Sequence, residues 1–425
     1  MLNDTTIIPQ KHYIISFIIF IEMAIIIYGM NTSGQIYELK SGVQHYAWGC
    51  RCRDGKTPYI ADLLGEPAGK TSWAELWIGA HPSLCSKIIA NGETEPLSTF
   101  IAADTKGCLG EKTLKAGYQE LPFLLKVLSC ERALSIQSHP DKTTAEKLHE
   151  KDSRHYPDAN HKPEIMIAIT PFKALGGFRK TEDIVADLDR LDCVHDWRQV
   201  YQEARSITPK AICETLLNLP MSLVRNMLTN LPKELAARKE RTERDELVLN
   251  LIKQYPCDRG VFFGFLLNII SLKPGDFLYI PPNEPHAYLN GTGVECMANS
   301  DNVIRAGLTP KNIDIHVLLN TLTFKSETVA AAAPQQDGDG VRLYACPARE
   351  YEVRIFDNVN VDFSERSGVP GVLLVLSGSY ELTWPGGRAV AKRGSSWFFP
   401  ASLKEATAKP LEPASELAMA TVPKA

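Results

Sequence analysis

Residues 273–288, KPGDFLYIPPNEPHAY, constrain the fold more than any other stretch of this chain. Gly275 and Asp276 make a turn, four residues of strand-forming composition follow (Phe277 to Ile280), and Pro281 stops them. A run that short, held between Gly and Pro, is too brief for a stable helix and reads as a buried strand. Pro281, Pro282 and Pro285 then stiffen the backbone on its way to His286. The same skeleton returns at residues 392–407, KRGSSWFFPASLKEAT. There Gly394, Ser395 and Pro400 take the places of Gly275, Asp276 and Pro281, and Glu405 stands where the first copy has His286. Two copies of a turn–strand–stop unit point to short antiparallel strands as the building material.

The rest of the chain follows three textures. From about residue 35 to 179, short apolar strands alternate with Gly, Pro and Asp turns. From 181 to about 255 apolar residues recur at three- and four-residue intervals, in EDIVADLDRL, DWRQVYQEA, AICETLLNL and DELVLNLIKQY, which predicts helices. The charged run 237–246, ARKERTERDE, alternates in sign like a solvated helix face. Strands are expected again over 260–289, and a short helix over 312–319. Residues 331–340, AAAPQQDGDG, have linker composition, and only strand patterns follow them.

The Gly-Asp…Pro…His skeleton resembles the second motif of the cupins, small antiparallel jelly-roll barrels that hold a metal inside. That resemblance implies a mainly β fold of two cupin-type jelly-roll barrels with an α-helical insertion. The expected domains are a catalytic zinc cupin domain (30–180 with 256–330), a helical insertion domain (181–255) and a C-terminal degenerate cupin domain (331–425). With Glu405 in place of a histidine and no obvious partner ligands, the last is expected to bind no metal.

Composition narrows the class. The 425 residues, 44% hydrophobic, are ample for two or three domains with true cores. A formal net charge of −4 gives no electrostatic reason to expect nucleic acid or an anionic membrane as partner. The ten cysteines follow no regular spacing, Cys50 and Cys52 being the only tight pair, which fits reduced thiols in a cytoplasmic protein. Residues 13–30, YIISFIIFIEMAIIIYGM, match a membrane span in length but carry Glu22 at their middle, which is costly in lipid. The reading preferred here makes residues 1–29 an extension from a start upstream of Met30, with a membrane anchor as the alternative.

Polar residues inside apolar stretches mark the chemistry. In ALSIQSHPDK, residues 133–142, Ser135, Gln137 and His139 are two apart and share one face of a strand. Buried amide and imidazole groups need partners, and a structural hydrogen-bond network would satisfy them. Two further stretches favour a metal. YPDANHKPEI (156–165) puts His161, Lys162 and Glu164 before an apolar strand, and His286 follows the strand DFLYI. Gln137, His139, Glu164 and His286 form an N/O ligand set suited to a divalent ion such as zinc.

At these residues the chain resembles the type I phosphomannose isomerases. The resemblance spans about residues 35–425 and is densest at GVQHYAWG, AELWIGAHPS, LSIQSHPDK, YPDANHKPE and PHAYLNGTGVECMANSDNVIRAGLTPK. It implies one Zn2+ per chain on Gln137, His139, Glu164 and His286, with Arg305 in the active site. It also implies a monomeric enzyme whose small-molecule partner is a sugar phosphate. The reaction implied interconverts mannose 6-phosphate and fructose 6-phosphate through an enediol, so a base must move a proton between C1 and C2. Lys162, Glu295, Asp301 and His161 are the nominees, and the sequence does not choose among them. Ser135 and Lys311 offer a hydroxyl and a point charge for the phosphate, with Arg305 shared or alternative. Trp48 and Trp77 read as core or cavity wall, His45 and His81 as local hydrogen-bonding residues, and Cys296 as cavity wall. Another metal-dependent cupin chemistry, such as a dioxygenase, and a non-catalytic sugar-binding cupin are the rival readings.

Overall fold

The computed structural model describes residues 34–424 apart from 91, 92, 312 and 327; the expectation about residues 1–29 lies outside the described residues. Strands dominate, and one of them organises the larger, eleven-stranded sheet: His286–Ala298, thirteen residues long. Its first part pairs with Ile136–Ser138 and Phe172–Phe178, its later part with Phe123–Cys130 and Glu164–Ala168, all antiparallel. A register shift between Tyr288 and Asn290 falls just before the second set of partners begins at Gly291. Such an irregularity bends a strand and raises its twist, so one strand can serve four neighbours.

Register then decides which residues meet. His286 stands opposite Gln137, and Gln137 stands opposite Arg305 on its other side. Glu295 is opposite Lys126, which is opposite Trp77. Directly opposed residues share a sheet face and lie within side-chain reach, so groups far apart in sequence converge.

A nine-stranded sheet carries most of the C-terminal strands, and these do not close on themselves. The N-terminal strand Tyr37–Lys40 pairs with Ser396–Phe399 on one side and Lys87–Ala90 on the other. Four short strands, among them Ser379–Trp384 and Gly387–Lys392, form a third sheet. The segment with linker composition contributes two small strands, Ala331–Ala332 against Phe277–Leu278 and Gln335–Gln336 against Arg342–Leu343.

The four predicted helical stretches are helices: Thr181–Asp189, His195–Gln202, Pro209–Asn218 and Glu243–Gln254. They fall between Phe172–Phe178 and Leu267–Leu272, two strands that pair with each other. A fifth, Met221–Ala236, lies between the third and fourth. Residues 237–242 correct the solvated-helix reading: they are a connection, and Thr242 starts the next helix with a reciprocal capping box to Asp245. Buried Asp245 also accepts a hydrogen bond from Arg238, 2.9 Å away. Residues 260–266 correct the strand expectation: they are helical turns, buried throughout, and periodicity does not separate a short buried helix from a buried strand. The short helix expected over 312–319 is Ile315–Thr321, with Asp314 accepting from the Val317 N–H. Among the described residues no helix is long and apolar enough to cross a membrane.

Both glycines of the repeated skeleton adopt left-handed backbone, Gly275 at φ +91° and Gly394 at φ +82°. Their surroundings differ. A Cβ on Gly275 meets nothing closer than Arg342 at 3.6 Å, whereas one on Gly394 would lie 2.1 Å from the Leu63 carbonyl oxygen. Gly275→Ala is therefore expected to lose about 1–2 kcal/mol, from backbone strain alone. Gly394→Ala is expected to lose roughly 3 kcal/mol or more, because the rigid Leu63 backbone must also move. Thermal melts of the two variants side by side check this; equal losses would reject the argument.

Candidate active site

Three segments bring His139, Glu164 and His286 together, and each is buried. The strand Glu164–Ala168 pairs with both Phe277–Ile280 and His286–Ala298, with Glu164 opposite Ile280 in the first and opposite Met297, near the end, in the second. His139 Nε2 lies 3.3 Å from Glu164 Oε1, and His286 Nε2 lies 3.3 Å from Glu164 Oε2. One ligand atom from each residue falls within 4.8 Å of the others.

The tautomers are fixed from behind. His139 Nδ1 donates to the Asn302 carbonyl oxygen at 2.7 Å, and His286 Nδ1 donates to the Glu284 carbonyl oxygen at 3.0 Å. Each Nε2 therefore presents a lone pair to the shared space, as a metal-binding imidazole does. Within that space His139 Nε2 and Glu164 Oε2 have no hydrogen-bond partner among the described residues. Orphaned buried acceptors are expensive, and a divalent cation satisfies them where no donor does. Burial depresses the His139 imidazole to about 4, which keeps it neutral and ligand-ready near pH 7. Burial would raise the Glu164 carboxyl, but the Lys162 ammonium beside it holds it below the usual range. Gln137 reaches to 3.5 Å of His286 Nε2, where its amide oxygen can serve as a further ligand because the two ends of an amide are alike in shape. The residues present fit a zinc-sized ion.

Two motifs lock this arrangement. Asp158 accepts from the Ser300 hydroxyl, from the Asp301 N–H and from the Asn302 side-chain amide. The Asn302 carbonyl thus stays in place to orient His139.

The cluster opens into a cavity of about 720 Å³. Ser135, Lys162, Glu295, Asp301, Arg305 and Lys311 all line it. Arg305 is half-buried, which lowers its guanidinium, and it has no ion-pair or side-chain hydrogen-bond partner among the described residues. A cation so placed is available to an anionic ligand. Lys162 Nζ sits 3.4 Å from Glu164 Oε1. Asp301 is at the mouth, its side chain 40% exposed; it accepts from the Ser83 hydroxyl and lies 3.7 Å from His81 Nε2. His161 is not brought into the cavity: its Nε2 donates to Glu350 Oε1 at 2.8 Å. Trp48 and Trp77 are on the cavity wall, whereas Cys296 is not and packs in the core instead. His45 hydrogen-bonds the Ser72 carbonyl.

Sequence reasoning missed the charges behind the wall. Lys126 Nζ lies 3.1 Å from Glu295 and 3.9 Å from Glu75, with the Trp77 ring 4.9 Å away. The Trp77 N–H donates to Glu75 at 2.6 Å. Burial alone would push the Lys126 ammonium down, but Glu295 and Glu75 outweigh it and hold it above the ordinary lysine value. Glu295 is raised, by burial first and then by Glu164 and Glu75, against the pull of Lys126. The buried Tyr288 lines the same cavity. The available signal was a lysine inside the apolar run of residues 121–128, LPFLLKVL.

Comparison with known proteins points one way. Residues 36–181 match the family model described as phosphomannose isomerase type I, catalytic domain. The mannose-6-phosphate isomerase of Bos taurus is 37% identical over 411 residues, covering 87% of this chain and 94% of the relative. The Homo sapiens mannose-6-phosphate isomerase is 36% identical, covering 79% and 83%. Among solved structures, a mutant phosphomannose isomerase from Salmonella typhimurium superposes with TM-score 0.80 at 31% identity, covering 91% of this chain and 98% of that one. A mannose 6-phosphate isomerase described as holo and zinc-bound gives 0.79 at 31% identity, with the same coverage.

Proposed function

This chain belongs to the type I phosphomannose isomerase family, and on that premise we propose that it interconverts D-mannose 6-phosphate and D-fructose 6-phosphate through a cis-enediol, with one zinc ion per chain. The observation that carries the reading is the buried His139–Glu164–His286 cluster, at the base of a cavity that also holds Arg305; among the described residues the cluster has unpaired acceptor atoms and Arg305 has no carboxylate partner. Gln137, His139, Glu164 and His286 would hold the zinc. Bound there, the ion supplies Lewis acidity to the sugar oxygens at C1 and C2.

The chain's own groups do the rest. Arg305 places positive charge beside the oxygens where charge develops, inside a cavity that limits water. The proton moved between C1 and C2 falls to Lys162 and Glu295, which line the cavity near the cluster and are buried. Asp301, at the mouth and held by Ser83, orients the rim, and His161 leaves the list of bases because it faces Glu350. Ser135 and Lys311 receive the phosphate, one as a hydroxyl donor and the other as an exposed point charge on the cavity lining. The assembly proposed is a monomer. The architecture assigned is two jelly-roll barrels with a helical insertion at 181–255, and the protein is cytoplasmic, without a nucleic-acid or membrane partner.

The test is turnover of mannose 6-phosphate by purified protein before and after chelation. Fructose 6-phosphate is expected to form, to stop forming once metal is stripped, and to form again on adding zinc. Folded, zinc-loaded protein without turnover would reject the assignment.

A further inference from the structure

Glu350 lies far along the chain from the residues above, beyond the segment of linker composition, yet it holds His161, the neighbour in sequence of the cavity-lining Lys162. It is 3% exposed, and every contact of its carboxylate is internal. Oε1 accepts from the Tyr118 hydroxyl at 2.7 Å and from His161 Nε2 at 2.8 Å, while Oε2 accepts from the Arg349 N–H at 3.1 Å. Two distant segments, those of Tyr118 and His161, thus meet on one buried carboxylate.

His161 directly precedes Lys162. On the other side of Lys162, the Pro163 carbonyl accepts from the Ala298 N–H at 3.2 Å. The backbone of Lys162 is therefore pinned at both ends, once by the long strand and once by Glu350 through His161. Among the described residues Lys162 itself makes one polar side-chain contact, 3.4 Å to Glu164. A lysine stem has several rotatable bonds, so its ammonium stays in place only if its Cα does. Misplacement of a reacting group by an ångström is enough to slow chemistry without weakening binding.

We propose that Glu350 is a positioning residue for the active site, holding Lys162 in place through its hydrogen bond to His161. The C-terminal part of the chain, through the connection between Val341–Tyr344 and Glu352–Asp357, would then contribute to turnover as well as to packing. The inference rests on the reading that Lys162 belongs to the isomerase machinery.

The test uses full-length, zinc-loaded protein and the variants Glu350→Ala, Glu350→Gln and Tyr118→Phe. Glu350→Ala is expected to lower kcat about tenfold or more while KM changes little and zinc stays bound. Glu350→Gln keeps an oxygen acceptor for Tyr118 and His161, and most of kcat should return. Should Glu350→Ala not fold, Tyr118→Phe carries the same split on a smaller scale, since it removes one bond and no charge. The proposal is overturned if kcat of Glu350→Ala stays within about twofold of the parent. It is equally overturned if kcat, KM and zinc content all fail together, or if the Gln variant is as poor as Ala. An inactive parent protein would reject the isomerase reading itself, whereas an active parent beside an equally active Glu350→Ala rejects the positioning role alone.

Discussion

Glu164→Gln protein is expected to leave purification with little zinc and to turn over mannose 6-phosphate at least ~10³-fold more slowly than the parent. Glu164 is the sole carboxylate in the buried group of candidate ligands, His139 and His286 being its partners there. Bringing a dication into so dry a place requires negative charge within contact distance, and a neutral amide does not supply it. The substitution preserves shape, so the packing of Ile165 and Met166 behind it should survive. Metal analysis after dialysis, read beside a product assay, separates loss of zinc from loss of fold. A variant that keeps a full equivalent of zinc and a rate within ~10-fold of the parent would remove Glu164 from the metal site.

Lys126→Met is expected to lower stability by ~3–5 kcal/mol at pH 8. The ammonium sits between Glu75 and Glu295, and all three groups are buried. Removing it strands two carboxylates in a low-dielectric interior, and the lost attraction to Trp77 adds to the damage. The sign of the pH effect follows. Glu295 is already raised by burial and by Glu164 and Glu75, with Lys126 pulling the other way. Without that pull its folded-state value rises further above the unfolded one, so the folded variant binds more protons. Stability then falls as pH rises through that window, and the variant should be less damaged at pH 5 than at pH 8. Adding Glu295→Gln should recover part of the loss, because one stranded charge disappears. A Lys126→Met protein that melts within about 2 °C of the parent at pH 8 would refute the account.

The residues proposed as ligands stand out in the sequence because each is a polar residue within or beside an apolar stretch. Gln137 and His139 break a strand pattern, Glu164 begins one, and His286 follows a proline-stiffened turn. A polar residue where burial is expected announces that something must satisfy it. Helices 181–189, 195–202, 209–218 and 243–254 were legible for the complementary reason: one face is apolar at helical spacing. Residues 260–266 were not, since a stretch buried on all sides loses the alternation that distinguishes helix from strand.

By itself, then, the sequence determined the strand-built character of the chain, the family it resembles and the four residues proposed to hold zinc. These are local signals, carried by turns, spacing and residue type within a few positions. Only the tertiary structure decided that His161 faces Glu350 and not the cavity, and that Cys296 is core. It alone placed Lys126 between Glu75 and Glu295, and the N-terminal strand Tyr37–Lys40 in the sheet of the C-terminal strands. Each of these outcomes depends on strand register across wide sequence separations. A one-residue slip in pairing sends a side chain to the opposite face of a sheet, and no local pattern in a fully buried strand records which face that is.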